Sequence, residues 1–319
     1  MKLLISRDLP QRNLDLAAAR FEMTLRDVDA PMTRAECQAA LSDYDIVLPT
    51  LGDAFGAETF EGLGEGLADV RCKLLANFGV GYNHIHVPSA QAAGIAVTNT
   101  PGAVTDATAD IAMTLILMTA RRAGEGERML RAGKWTGWAP TQMLGLHVSG
   151  RTVAIIGMGR IGQAIARRCH FGFGCEIVYA SRSEKALNFP ARALDLETAL
   201  SVADIAVLAV PATPETHHMI DAKALAAMQP HALLVNIARG DVVDEAALIA
   251  ALEARQIAGA GLDVYEFEPN VPAALMGMEH VTLLPHLGTA ALEVREAMGK
   301  MALDNALAHL EGRALPNPV

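Results

Sequence analysis

The chain has 319 residues, of which 51% are hydrophobic, 19% charged and only 4% aromatic, and its formal net charge is -10. That length can fold as two lobes with a core in each, and an Ala/Val/Ile/Leu-rich composition suits helices packed on parallel sheet and excludes disorder. An acidic chain without a basic run excludes nucleic acid and an acidic membrane surface as partners, which leaves a small molecule as the expected ligand.

In chain order, "MKLLISRDLP" has too short an apolar stretch for a secretory segment. "KLLIS", "DIVLPT", "CKLLANFG" and "IAVTNT" are strand-like, and "TRAECQAALSD" and "VPSAQAAG" helical, an alternation that predicts parallel α/β structure. One long helix is expected over "TDATADIAMTLILMTARRAGEGERMLRAG", after Pro101 and Gly102, with a Thr/Asp start as its cap and a position bridging two lobes. Its apolar run 111–120 is too short to span a bilayer and reads as core. A second series begins at "RTVAIIGMGRIGQAIARR" and continues through "EIVYASRS", "DIAVLAVPAT", "ALLVNIARG", "IAGAGLDVYE" and "VTLLPHLGT", which predicts a doubly wound sheet. The last helix, "AALEVREAMGKMALDNALAHLEG", is expected to return to the first lobe, giving a discontinuous domain of 1–99 plus 288–319 around a second domain of 100–287. The cysteines Cys37, Cys72, Cys169 and Cys175 lack C-x-x-C spacing, so neither a zinc knuckle nor a disulfide frame is expected, and a reducing cytoplasm fits.

In "AIIGMGRIG", Gly157, Gly159 and Gly162 form G-x-G-x-x-G between a strand and a helix, the context that a dinucleotide fingerprint needs. Gly157 permits the tight turn, Gly159 admits a pyrophosphate to the backbone, and Gly162 lets helix and strand pack closely. The next strand ends in Ser181 and Arg182 where an NAD-type site carries a carboxylate. A hydroxyl and a guanidinium suit a 2′-phosphate, which favours NADP(H) over NAD(H); an exposed polar turn in an enzyme using both cofactors is the alternative.

Chemistry in such a fold belongs at the carboxyl ends of the strands, in a crevice facing the other lobe. Arg239 follows "LLVNIA", Glu268 follows a strand in "LDVYEFEP", and His286 lies in "VTLLPHLG". Singly, each has a plain structural reading: Arg239 pairing with Asp241, a solvated Glu268, a half-buried His286. Together they supply an anion binder, an acid/base near neutral pH and a carboxylate to orient it. His84 with His86, and His217 with His218, have no third ligand at metal spacing and read as surface turns, so no metal is expected.

The motifs "NFGVGYNHI", "NTPGAVTDATAD", "GMGRIG", "NIARGDVVDEAAL", "AGLDVYEFEP" and "LLPHLG", in this order over nearly the whole chain, resemble the D-isomer-specific 2-hydroxyacid dehydrogenases, nearest the glyoxylate/hydroxypyruvate reductase branch. The resemblance implies a Rossmann dinucleotide-binding domain and a smaller flavodoxin-like substrate domain, with the active site in the cleft. It implies that Arg239 binds the carboxylate and keto oxygen of a small 2-oxo acid, that His286 is the acid/base, and that Glu268 hydrogen-bonds His286. A neighbouring carboxylate favours imidazolium, so a proton is available for reduction to a D-2-hydroxy acid. The backbone N–H groups of Val80 and Gly81 match a second contact to the substrate carboxylate. Cofactor contacts carried over are Thr105, Arg160, Ile161, Pro211, Thr216, the Ala238 carbonyl, Asp263 and Gly288, beside the glycines, Ser181 and Arg182.

His86 stands where the family often has an acidic residue. Trp135 and Trp138 have packing as their default role, and the resemblance offers a tryptophan closing a partner subunit's pocket as the alternative, in a homodimer formed through the cofactor lobe. Formate or phosphite dehydrogenation within the family, and a dinucleotide-sensing corepressor outside enzymology, are the competing functions; turnover separates the last from a reductase.

Overall fold

The computed structural model describes residues 1–62 and 70–319. Strands β1 (Lys2–Ile5), β2 (Glu22–Leu25), β3 (Ile46–Leu48), β4 (Leu74–Ala76) and β5 (Ala96–Thr98) form a parallel sheet in the order β2-β1-β3-β4-β5. That is the flavodoxin-like order. Parallel strands need cover on both faces, and the alternation along the chain provides it. Leu4, Val47 and Leu75 enter one core, while Leu3, Ile5, Ile46, Leu48 and Leu74 enter another with Ala302, Leu303 and Ala306 of the helix Leu292–Leu310. Asn13 pins that last helix, its Nδ2 donating to the Glu296 carbonyl at 3.0 Å. These elements make up a unit of Met1–Val104 with Ala290–Val319.

The second unit, Thr105–Thr289, opens with the helices Thr105–Ala120 and Ala123–Arg131 rather than the single helix expected. Arg122 adopts a left-handed backbone (φ 52°) between them, and its guanidinium bonds Glu125 in the following turn at 2.7 and 2.8 Å. Seven parallel strands follow: β6 (Thr152–Ile156), β7 (Glu176–Ala180), β8 (Arg192–Ala193), β9 (Ile205–Leu208), β10 (Leu233–Asn236), β11 (Gly259–Leu262) and β12 (Val281–Leu283). Their order, β12-β11-β10-β9-β6-β7-β8, reverses at β6, and an open sheet presents its ligand crevice where the order reverses, at the carboxyl ends of the strands. Ala154 and Ile156 of β6 face one core and Val153 and Ile155 the other, so the strand at the switch point is fixed from both sides. The apolar helix Thr105–Ala120 contributes Ala109, Ala112, Leu115 and Ile116 to the second of these cores. No helix among the described residues is long and apolar enough to cross a membrane.

Candidate active site

The glycine fingerprint turns out of β6 as its spacing requires. Gly157 is left-handed (φ 103°), and a Cβ on Gly162 would overlap the Gly157 carbonyl oxygen, so strand and helix meet more closely than any side chain allows. A Cβ on Gly159 would meet nothing within 4 Å, and Gly159 caps the helix Arg160–Arg167 with no side-chain bond to its first turn. The exposed backbone and uncapped N–H groups form the cradle that a dinucleotide's pyrophosphate needs. Arg160 is exposed and Ile161 half-buried at this helix start.

Ser181 and Arg182 follow β7 and are both exposed. Across from them, the loop Pro211–His218 is closed on itself: Thr216 Oγ1 donates to the Pro211 carbonyl at 2.7 Å and accepts the Thr213 N–H at 2.9 Å. The Glu215 carboxyl on that loop is held below its ordinary range, chiefly by its bond to Thr213 and in smaller part by the charge of Arg182. The charge of Arg182 thus reaches the loop that carries Glu215.

At the carboxyl ends of β10, β11 and β12 stand the three chemical residues. Asn236, the last residue of β10, bonds the turn beyond it in both directions: Nδ2 donates to the Arg239 carbonyl at 2.8 Å and Oδ1 accepts the Ala238 N–H at 3.0 Å. This fixes the backbone of half-buried Arg239, whose Nη1 donates to the Ala238 carbonyl at 2.7 Å. Burial pushes the guanidinium down from its usual value, opposed by the charges of Glu268 and Asp241. A guanidinium does not deprotonate in a protein, so the result is a fixed positive charge.

His286 Nδ1 and Glu268 Oε2 are 2.8 Å apart, and Glu268 Oε1 accepts the Tyr265 N–H at 3.0 Å. Burial alone pushes the Glu268 carboxyl up. The hydrogen bond and charge of His286, the Tyr265 N–H and the charge of Arg239 outweigh it and hold the group below 4.5. An ionised carboxylate only accepts, so Nδ1 carries the proton of this bond and Nε2 is left for other chemistry.

The backbone of His286 is left-handed (φ 54°), a conformation that costs a residue with a Cβ about 1–2 kcal/mol. Asp263, buried at the end of β11, holds it there. Its carbonyl accepts the His286 N–H at 2.9 Å, and its two carboxylate oxygens accept the N–H groups of Leu287 and Gly288 at 2.7 and 2.9 Å. Burial raises the Asp263 carboxyl despite those two donors. The Gly288 carbonyl in turn accepts Thr108 Oγ1 at 3.2 Å. Asp263 and Gly288, expected as cofactor contacts, thus also build the turn that presents the histidine, a role no motif announced.

In the other unit, Val80 and Gly81 follow β4 in a turn whose carbonyls are tied down: Asn77 Nδ2 donates to the Gly79 and Gly81 carbonyls at 3.0 Å each, and Asn99 Nδ2 to that of Val80 at 2.9 Å. Among the described residues no acceptor takes the Val80 or Gly81 N–H, which leaves both to donate to an anion. His86 is more than a surface turn: its Nδ1 accepts the Ser89 N–H and caps the helix Val87–Ala92, the work that an acidic residue does at such a position. His218, likewise read as a surface residue, is half-buried and bonds Glu266. Thr105 begins the helix Thr105–Ala120. Trp135 and Trp138 are 53% and 80% exposed, so neither belongs to a core, and Trp135 Nε1 donates to Gln142 Oε1 at 3.4 Å.

An open parallel sheet with a dinucleotide cradle at its switch point, and a cation, a carboxylate and an imidazole at adjacent strand ends, defines a nicotinamide-dependent oxidoreductase. Residues 113–288 match the D-isomer specific 2-hydroxyacid dehydrogenase, NAD binding domain, and the chain belongs to that family. Over its whole length it is 40% identical to glyoxylate reductases of Thermococcus onnurineus and Pyrococcus furiosus, covering 95% of each. Among solved structures, it resembles the TT0316 protein of Thermus thermophilus (TM-score 0.91, 39% identity, all of both chains). It also resembles an NADPH-dependent glyoxylate/hydroxypyruvate reductase of Sinorhizobium meliloti in complex with NADP and malonate (TM-score 0.87, 35% identity, all of this chain and 96% of that one).

Proposed function

We propose that this protein is an NADPH-preferring reductase of small 2-oxo acids, glyoxylate and hydroxypyruvate first, forming D-2-hydroxy acids. The observation that carries the reading is the 2.8 Å His286–Glu268 pair facing the fixed charge of Arg239. Arg239 holds the substrate's carboxylate and polarises its keto oxygen. The glycine cradle would hold the pyrophosphate of a reduced nicotinamide dinucleotide, which would supply the hydride for the substrate C2. His286 Nε2 gives the keto oxygen its proton, and Glu268 stabilises the imidazolium that gives it. The reading is supported by the relatives named above, two glyoxylate reductases and one glyoxylate/hydroxypyruvate reductase.

Initial rates of NADPH and NADH oxidation with glyoxylate, hydroxypyruvate, pyruvate and 3-phosphohydroxypyruvate test cofactor and substrate together. Fast NADPH-linked turnover of either of the first two is the expected result. Tight NADP(H) binding with no turnover of any of the four would discard this substrate class and favour phosphite, formate or a sensing role.

The NADPH preference rests on Ser181 and Arg182, with no carboxylate at the end of β7 to meet a ribose hydroxyl. Arg182→Asp, with Ser181 kept, is expected to raise the Kd for NADPH by about tenfold or more, the loss of one charge-assisted contact, and to change that for NADH far less. Equal changes for both cofactors would show that Arg182 does not read the 2′-phosphate.

Leu130, Trp135, Trp138 and Leu144 are large apolar residues exposed within one short stretch of sequence, which we assign to contact with a second copy, making a homodimer through the cofactor unit. Trp138→Lys is expected to shift the species seen by light scattering from dimer to monomer; a monomeric wild-type protein would end this assignment. Burial pushes the thiols of Cys37, Cys72 and Cys169 up to about 12, which makes them inert packing groups and suits a cytoplasmic protein.

A further inference from the structure

Two residues before Glu268, a second glutamate takes a second histidine. His218 Nε2 and Glu266 Oε1 are 2.9 Å apart, with side chains 34% and 15% exposed. His218 (φ 48°) shares with His286 (φ 54°) the left-handed backbone that disfavours a side chain. A glycine or asparagine would serve such a turn at lower cost, so the imidazole itself is what the position keeps.

The pair sits where three segments meet. The His218 N–H donates to the Asp241 carbonyl at 2.8 Å, two residues beyond Arg239, and Ile220 continues the contact through Val242 and Asp244. Glu266 Oε2 accepts the Glu245 N–H, and Glu245 Oε2 accepts the Glu266 N–H, both at 3.4 Å. A Cβ on Gly240 would overlap the carbonyl group of Tyr265, so the stretches 239–245 and 265–268 already touch backbone to backbone. His218 ties the loop Pro211–His218 to both, its backbone N–H to the first stretch and its imidazole to the second, and the exposed ring of His217 stacks on that imidazole at 4.0 Å between centroids. One of these stretches carries Arg239 and the other Glu268.

We infer that His218 and Glu266 are positioning residues for the substrate anchor: the pair sets where Arg239 stands relative to Glu268 and touches no substrate itself. The inference rests on the proposed roles of Arg239 and Glu268. Arg239 meets the carboxylate in ground state and transition state alike and the keto oxygen most strongly as it becomes an oxyanion, so a small displacement of the guanidinium raises KM and lowers kcat by less.

The test uses the full chain with His218→Leu and His218→Gln. His218→Leu is expected to raise KM for glyoxylate about tenfold, the loss of one charge-assisted alignment, with kcat within about threefold and the NADPH Kd within about twofold. His218→Gln keeps an N–H donor for Glu266 and is expected to restore most of the affinity. Amide exchange should quicken in 239–245 and 265–268 in the leucine variant and not in β6 and β7. Unchanged KM, a glutamine variant no better than leucine, or loss of kcat, substrate and NADPH affinity together with faster exchange throughout would each overturn the inference. If the wild-type protein reduces no 2-oxo acid, the functional reading fails, and the exchange pattern alone decides whether His218 clamps these segments.

Discussion

Arg239→Ala is expected to lower kcat/KM for a 2-oxo acid by about a thousandfold, because removing the charged partner of a carboxylate in a desolvated site costs about 3–5 kcal/mol. The structure makes the loss hard to repair. Asn236 fixes the backbone on both sides of Arg239, and the charges of Glu268 and Asp241 act on its guanidinium. Both are anionic and neither can bind a carboxylate. Arg239→Lys keeps the charge and loses the planar fork, so an intermediate rate is expected from it. NADPH affinity should stay within a few-fold in both variants, since the cradle at Gly159 is formed by backbone after a different strand. Turnover within tenfold of wild type for Arg239→Ala would sink the assignment of Arg239 as anchor.

How much of this was legible in the sequence depends on whether a feature is encoded locally. Most strands of both sheets are buried on both faces, so they read as short apolar runs, and the glycine fingerprint is a contiguous motif whose three positions have separate steric reasons. Strand β2 carries "EMTL" with half-exposed and exposed residues at a sheet edge, and β8 is two exposed residues, Arg192 and Ala193; neither has an apolar signature to find. The break at Arg122 was hidden because a helical apolar period runs on past a single left-handed residue.

Arg239, Glu268 and His286 were found as strand-end residues, yet what holds them was not. Asp263 reaches Leu287 and Gly288 across 24 and 25 residues, and Glu266 reaches His218 across 48. Such bonds follow from which strands are neighbours, a property of topology that no spacing displays. The adjacent histidines misled for the same reason: without the position of the Tyr265–Glu268 turn, His218 is one more polar residue in a loop. The tryptophans misled oppositely, since an aromatic residue reads as core unless the surface of the fold is known.

Removing the proton donor separates chemistry from binding. His286→Ala is expected to lower kcat by about 10²–10⁴-fold, the usual contribution of a positioned general acid, with substrate and NADPH affinity little changed. In the proposed reduction the keto oxygen takes its proton from His286 Nε2, and His286→Ala leaves no side chain there to give it. The Glu268 carboxyl is depressed below 4.5 by His286, Tyr265 and Arg239 in spite of burial, so its charge is fully present at neutral pH. Its support is lost only as pH falls through that lowered value, which places any acid limb due to Glu268 below 4.5. Glu268→Gln keeps an acceptor for Nδ1 and deletes the carboxylate charge beside the ring, so kcat for reduction is expected to fall about tenfold or more with KM and NADPH affinity little changed, and any acid limb due to Glu268 should disappear. An unchanged kcat in Glu268→Gln would mean that the glutamate only orients the ring, and the electrostatic half of the mechanism would then belong to other groups.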